Sequence, residues 1–351
     1  MRNFKILKWE NIKLAFSHKL LLGNGASRAI WDDLKYHSIY QAADKDGRID
    51  ENLKDLFSDF NTNDFEYVLR LLRQTNMVNK ILRIEDKKTN LLYNNLRQTL
   101  IDTIGDNHPK HEQVNTFLIP IAKFMSRFKE VISLNYDLIV YWAMLEWNTI
   151  HGNWFKDGFV DGRFDNDFSS YMYDPHEGLN AATIVSYPHG SLILATDLSD
   201  AELKLSRSGE RYLLQEILSA WETGEYIPLF VSEGISSEKL KAIQRSNYLK
   251  TIFDTIVESK TDTLTVFGWS FRDEDMHILK GIVKGGVERL AVSVHTSSGN
   301  TNNYCQSVFE KVNNVYQELI EEGTRVKRPS LYFFDSESEG CWTRDNSEKM
   351  E

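Results

Sequence analysis

Cysteine is nearly missing from this sequence: Cys305 and Cys341 are the only two. Two thiols cannot build a four-cysteine zinc site, and this pair is not spaced as C-x-x-C. They read as free thiols of a reducing compartment, which points to the cytoplasm. Long apolar runs are missing too. None approaches the roughly 18–20 residues of a membrane span, and the opening Met1-Arg2-Asn3-Phe4-Lys5 has no signal-peptide core. A membrane partner is therefore not expected. An excess of positive charge is the third absence. The chain carries 41 Lys and Arg against 51 Asp and Glu, a net charge of −10. That opposes binding along a nucleic-acid backbone. A small anionic ligand would have to be held by local dipoles against the overall field.

What remains is ordinary globular material, 41% hydrophobic and 26% charged over 351 residues. That is enough for one large or two modest domains. Short apolar runs at about 18–22, 129–134, 183–187, 227–231, 262–267, 290–294 and 331–334 read as strands, with a further apolar run at 192–194 after the third. Helical stretches separate most of them. Strands alternating with helices predict a doubly wound α/β fold on a parallel sheet. Residues 50–128 read as a helical insertion, with Phe65, Val68, Leu69 and Leu72 at helical spacing. Gly105 to Pro109 reads as a break in it, with His108 and His111 as exposed loop residues. Residues 151–182 have no clean period and read as an irregular, lid-like segment, with Phe168, Tyr171 and Tyr173 expected to pack in the core or at the surface rather than to form the lid itself. The expected layout is one domain over 1–335 and a polar, frayed tail over 336–351.

In a parallel sheet, ligands bind beyond the carboxyl ends of the strands. Four strand ends carry punctuation there: Gly23-Asn24-Gly25-Ala26-Ser27, Asn135-Tyr136-Asp137, Pro188-His189-Gly190-Ser191 and Gly268-Trp269-Ser270. A glycine turn opening a helix offers backbone N–H groups to a phosphate. On that reading Gly23, Gly25, Ala26 and Ser27 would hold a pyrophosphate, with Gly268 and Ser270 giving a second close approach. Asn135 and Asp137 supply an amide and a carboxylate for a ribose hydroxyl, a water or a carboxamide. His189 is the side chain among them suited to act as a base near neutral pH. The chemistry that fits is cleavage of the N-glycosidic bond of a nicotinamide dinucleotide.

These motifs, in this order over about residues 18–295, resemble the sirtuins. Gly23-Asn24-Gly25-Ala26-Ser27 is similar to their Gly-Ala-Gly-x-Ser turn. Ser133-Leu134-Asn135-Tyr136-Asp137 is similar to Thr-Gln-Asn-x-Asp, Pro188-His189-Gly190 to Leu-His-Gly, and Gly268-Trp269-Ser270 to the late Gly-x-Ser. The resemblance implies a Rossmann-like NAD-binding fold, with Asn135 and His189 catalytic and Asp137 on the nicotinamide carboxamide. It assigns Gly23, Gly25, Ala26, Ser27, Gly268 and Ser270 to NAD. It also implies a zinc-less bacterial NAD+ hydrolase of anti-phage defence, acting as an oligomer and in some systems with a HerA-type ATPase.

The chain departs from the sirtuin pattern in three places. The zinc cysteines are absent, Leu134 stands where the motif has glutamine, and no Gly-Ile-Pro-Asp-Phe-Arg run follows Ser27, which leaves Arg28 nearest to a phosphate-side arginine. Hydrolysis of free NAD+ is therefore expected rather than protein deacylation. Three alternatives stay open at this point. His151-Gly152 is a second His-Gly pair. The fold could serve a non-catalytic nucleotide sensor. It could also serve a dehydrogenase, although Arg28 fills the third glycine position of that fingerprint. Asn135, Asp137, Ser27, Asp273 and Asp275 would also suit helix starts.

Overall fold

The computed structural model describes residues 3–32, 34, 39–168, 182–205, 213–231 and 233–344. The chain begins with β1 (Ile6–Leu7), β2 (Lys19–Leu22), α1 (Asn24–Arg28) and α2 (Ile39–Lys45). Four further helices follow: α3 (Glu51–Asp59), α4 (Phe65–Leu82), α5 (Lys87–Asn107) and α6 (His111–Met125). Then come β3 (Glu130–Ser133), α7 (Ile139–His151), β4 (Phe155–Lys156), β5 (Phe159–Val160), β6 (Arg163–Phe164), β7 (Thr183–Ser186), β8 (Gly190–Thr196) and β9 (Glu202–Lys204). The last part is α8 (Leu213–Glu222), β10 (Ile227–Phe230), α9 (Ser236–Arg245), α10 (Asn247–Ile252), β11 (Thr263–Phe267), α11 (Met276–Lys284), β12 (Arg289–Val294), α12 (Thr301–Glu321) and β13 (Ser330–Asp335).

An eight-stranded sheet runs β1-β13-β12-β11-β2-β3-β7-β4. Every pairing described in it is parallel. Strands β2, β3, β7 and β11 are buried along their whole length. Helices on both faces require that, and it explains why these strands read as unbroken apolar runs. The fold is the expected doubly wound α/β class. From β2 the order steps outward through β3 to β7, then resumes on the other side of β2 with β11. The two directions part between β2 and β11, the place where such sheets open a crevice. The β2–β3 register starts at Lys19 opposite Glu130, and the two side chains form a buried ion pair at 2.7 Å. Lys19 Nζ also donates to the carbonyl oxygen of Ile256 at 2.8 Å, which helps offset the cost of burying its charge.

The structure corrects several expectations. The runs at 192–194 and 227–231 are strands, but they do not join the parallel sheet. They lie in β8 and β10, paired antiparallel in a second sheet of order β10-β8-β9-β6-β5. The Tyr187–Gly190 turn between β7 and β8 is too short for a parallel crossover, so the chain must leave the first sheet there. The segment expected to be lid-like is, up to Phe168, built into both sheets as β4, β5 and β6, and Phe168 is buried. Tyr171 and Tyr173 lie outside the described residues. The insertion at 50–128 is helical, but Gly105 does not break it. Helix α5 runs through Gly105, where a Cβ would come within 3.3 Å of Leu218 on α8, so glycine lets the two helices close up. His108 and His111 are buried, not exposed. The expected frayed tail is packed through Trp342. Cys341 and Trp342 are buried, and the indole stacks on Phe267 at 5.3 Å.

Candidate functional site

The carboxyl ends of β11, β2, β3 and β7 open into one cleft of about 1150 Å³. Gly23, Gly25, Asn135, Asp137, His189, Gly268 and Ser270 line it. Ala26 and Ser27 do not. Both are buried beneath the cleft floor. His151 is exposed at the end of α7, its ring 4.0 Å from that of Trp147, and takes no part in the lining.

The glycines are required, but not for a positive φ at the first turn. Gly23 has φ −106°. A Cβ there would lie 2.5 Å from the Trp269 Cα, and one on Gly25 would lie 2.7 Å from the Gly268 oxygen. The turn after β2 and the turn after β11 therefore touch backbone to backbone. Gly23 N–H donates to Phe267 O at 2.9 Å, Gly25 N–H to Gly268 O at 2.7 Å and Ala26 N–H to Gly23 O at 2.9 Å. The first two of these amides brace the two turns against each other, the third closes the first turn, and together they are not a bare anion cradle. Gly268 does need the left-handed region, with φ +69°.

Beyond β3, a buried polar network replaces apolar packing. Asn135 Nδ2 donates to Gly23 O at 3.0 Å and to Ser27 Oγ at 2.8 Å. Gly23 O can only accept, so the amide nitrogen must face it. Both amide N–H groups are thereby used, and the side-chain carbonyl oxygen is left as the acceptor. Ser27 Oγ donates to Asp137 Oδ2 at 2.5 Å, and Asp137 Oδ1 accepts from the N–H of Ile139, the first residue of α7, at 3.0 Å. Burial pushes the Asp137 carboxyl above its ordinary range, while these donors pull it back. Ser27 and Asp137 thus tie α1 to α7 and hold Asn135 in place.

His189 sits on a tight turn. Gly190 N–H donates to Tyr187 O at 2.9 Å, with Pro188 next in line, as such turns favour. Gly190 takes φ +75°, and its missing Cβ would lie 2.1 Å from Leu229 O. His189 O accepts from Val231 N–H at 2.7 Å, so both sheets pin the residue. Its ring is buried, with Nε2 2.9 Å from Nε2 of His277 on α11. Burial is the main force holding both imidazoles neutral, and it takes His277 down to about 4. Beside them Lys239 Nζ donates to Asp275 Oδ1 at 2.9 Å. Both of these residues line the cleft, as do Glu233 and Glu238.

The sequence gives no motif for His277, Lys239 or Glu233, which approach the cleft from distant parts of the chain. Asp275, read there as a helix-start acid, is committed to Lys239. Arg28 leans on Asp32 at 3.6 Å. Arg272, also on the cleft rim, has no acidic partner among the described residues. No group of three or more His, Cys, Asp or Glu side chains among the described residues could hold a metal ion, and no helix there is long and apolar enough to cross a membrane.

The fold and the cleft define a doubly wound α/β protein whose crevice opens where the strand order reverses. Its residues 20–342, from β2 to the Trp342 that packs beside the cleft, match a family described as a domain of unknown function, DUF4917. The chain belongs to that family. No curated protein matches it.

Proposed function

We propose that this chain is a cytoplasmic NAD+ glycohydrolase of the sirtuin-like type. It would release nicotinamide and leave ADP-ribose, linear or cyclic. The observation that carries this reading is the placement of Asn135 and His189. They come from the adjacent strands β3 and β7 and line one cleft together with the glycine turns of β2 and β11.

The pyridinium is already a good leaving group. A site that holds the ribose and offers a nucleophile therefore supplies most of what the reaction needs. Water attacks C1′, the C1′–N bond breaks, and its electron pair neutralises the pyridinium nitrogen. The proton lost by the water passes to His189, which burial keeps neutral before the step. General-base help of this kind is worth about 10²–10⁴ in rate. The Asn135 carbonyl oxygen suits the attacking water or a ribose hydroxyl. Glu233 and Glu238 line the cleft, and their negative charge favours the cationic nicotinamide end. Arg272, two residues beyond Ser270, is better placed by its free charge than Arg28 to meet the diphosphate. In the sirtuin-like setting the enzyme would deplete NAD+ during phage infection, as a homo-oligomer or beside a HerA-type ATPase.

The Gly25 and Ala26 amides are already bonded within the protein, so the diphosphate must meet other groups; the second reading is a nucleotide sensor without turnover. One assay separates the two. Nicotinamide release from NAD+ is followed by chromatography, for the chain alone and with proteins encoded beside it. His189→Ala and Asn135→Ala should each cut release by about 10²-fold or more, with the far-ultraviolet circular dichroism retained. Full turnover in either variant defeats the hydrolase reading. NAD+ binding without release in every condition supports the sensor.

A further inference from the structure

His277 is not needed by the mechanism above, yet it is the side chain in closest polar contact with His189. It is buried on the first turn of α11, and its Nε2 lies 2.9 Å from His189 Nε2. On its other side, His277 Nδ1 lies 3.1 Å from Ser236 Oγ, and the same oxygen accepts the His277 backbone N–H at 2.9 Å. Ser236 is the first residue of α9 and is half-buried. Three elements distant in sequence thus meet in an unbroken line of hydrogen bonds.

We infer that His277 is the positioning residue for His189, and that the two imidazoles, backed by Ser236, work as one base. The inference rests on the hydrolase reading for its catalytic consequence but not for the contact itself. Two facing Nε2 atoms leave room for a single hydrogen between them. If both rings were charged, two N–H groups would collide, so the pair takes up one proton and not two. When His189 supplies the shared hydrogen, its Nδ1 carries the lone pair. His277 Nε2 then accepts, and His277 Nδ1–H donates to Ser236 Oγ, which has a second lone pair to receive it. A proton taken from the attacking water at His189 Nδ1 makes an imidazolium whose Nε2–H is already held. This is the arrangement in which a base is oriented by a third group. Lys239 and Asp275 are the charged groups that act on both rings, and they pair with each other at 2.9 Å. The Phe253 ring stacks on His277 at 6.3 Å and closes the apolar side.

The test uses the full chain with histidine-selective nitrogen-15 labelling, in wild type, His277→Ala and His277→Gln. Glutamine can place a carboxamide oxygen where Nε2 lay but cannot titrate. In wild type, the His189 and His277 signals should stay neutral well below the ordinary histidine midpoint. In His277→Ala, the His189 signal should titrate closer to that midpoint, because water enters the space left and relieves the burial that holds the ring neutral. In the NAD+ assay, kcat should fall by about 10-fold to 10²-fold in His277→Ala, part of the ~10²–10⁴ that a general base supplies. KM should change little, the acid limb of the pH profile should move up, and His277→Gln should recover part of kcat. A His189 titration that is the same in wild type and His277→Ala overturns the inference whatever the activity. A shifted titration in a protein that never cleaves NAD+ upholds the coupled pair and removes the hydrolase reading instead. Cleavage with kcat and acid limb unchanged in His277→Ala removes the positioning role while the hydrolase reading stands.

Discussion

At the scale of single residues, the glycines of the strand-end turns are required for a reason that their motif does not show. Gly23, Gly25 and Gly268 look like residues that let a phosphate approach. What approaches is another stretch of backbone. A Cβ on Gly268 would lie 2.3 Å from the Ala26 nitrogen, in a residue whose φ is +69°. Gly268→Ala must therefore push the two turns apart and strain its own backbone. We expect a loss of about 2 kcal/mol or more in urea denaturation, with a weaker cleft as the consequence. An unchanged midpoint would show that the turns are not braced in this way. The motifs at Asn135, His189 and Gly268 were legible because each is local, a few residues at a strand end. His277 was not legible. It is a lone histidine on a helix, and its partner is 88 positions away. His108 was misread for a related reason. Beside Gly105 and Pro109 it looked exposed, yet its Nε2 accepts the Leu138 N–H at 3.0 Å and its Nδ1 lies 2.8 Å from Pro109 O. An acceptor at Nε2 means that Nδ1 bears the proton, so this histidine is a neutral bracket between α6 and the start of α7.

Secondary elements were read best where they are buried on both faces. The strands β2, β3, β7 and β11 appear as apolar runs because helices cover both sides of the sheet. The second sheet was hidden by its size: β5 and β6 are two residues each, too short for any period to show. Residues 336–344 are not the frayed tail that their polar composition suggests, and 345–351 lie outside the described residues. One large side chain decides this, for Trp342 Nε1 donates to Ala26 O at 3.1 Å while the ring lies on Phe267. This packs the last described element against α1 and beside the cleft, which Trp342 lines together with Gly23 and Gly25. Trp342→Ala should open a cavity there and cost about 3–5 kcal/mol. It should also loosen α1, which makes the turn after β2 more labile to proteolysis or hydrogen exchange. If the variant melts with wild-type cooperativity and midpoint, the segment is an appendage after all.

For the whole molecule, buried titrating groups link stability to pH, and their signs differ. Burial takes the His108 imidazole down to about 4 and keeps it neutral in the folded state. Unfolded, the same ring takes a proton near 6.5. Between those values the unfolded chain binds more protons, so folding stability is complete above about 6.5 and is lost as the pH falls toward 4. At about 1.36 kcal/mol for each unit, the span corresponds to about 3 kcal/mol. Glu66 works in the other direction. Its carboxyl is raised well above its ordinary value by burial, so acidification relieves a strain that is present at neutral pH. A raw stability profile mixes the two, and a difference between variants separates them. His108→Gln keeps polar atoms near Leu138 but cannot titrate. It should be less stable than wild type at pH 7, and the gap should narrow by about 3 kcal/mol as the pH is lowered to 4. Urea denaturation of both proteins across that range measures the gap directly. A constant gap would mean that His108 is as easily protonated in the folded chain as in the unfolded one, which its two internal hydrogen bonds and its burial against Trp142 forbid.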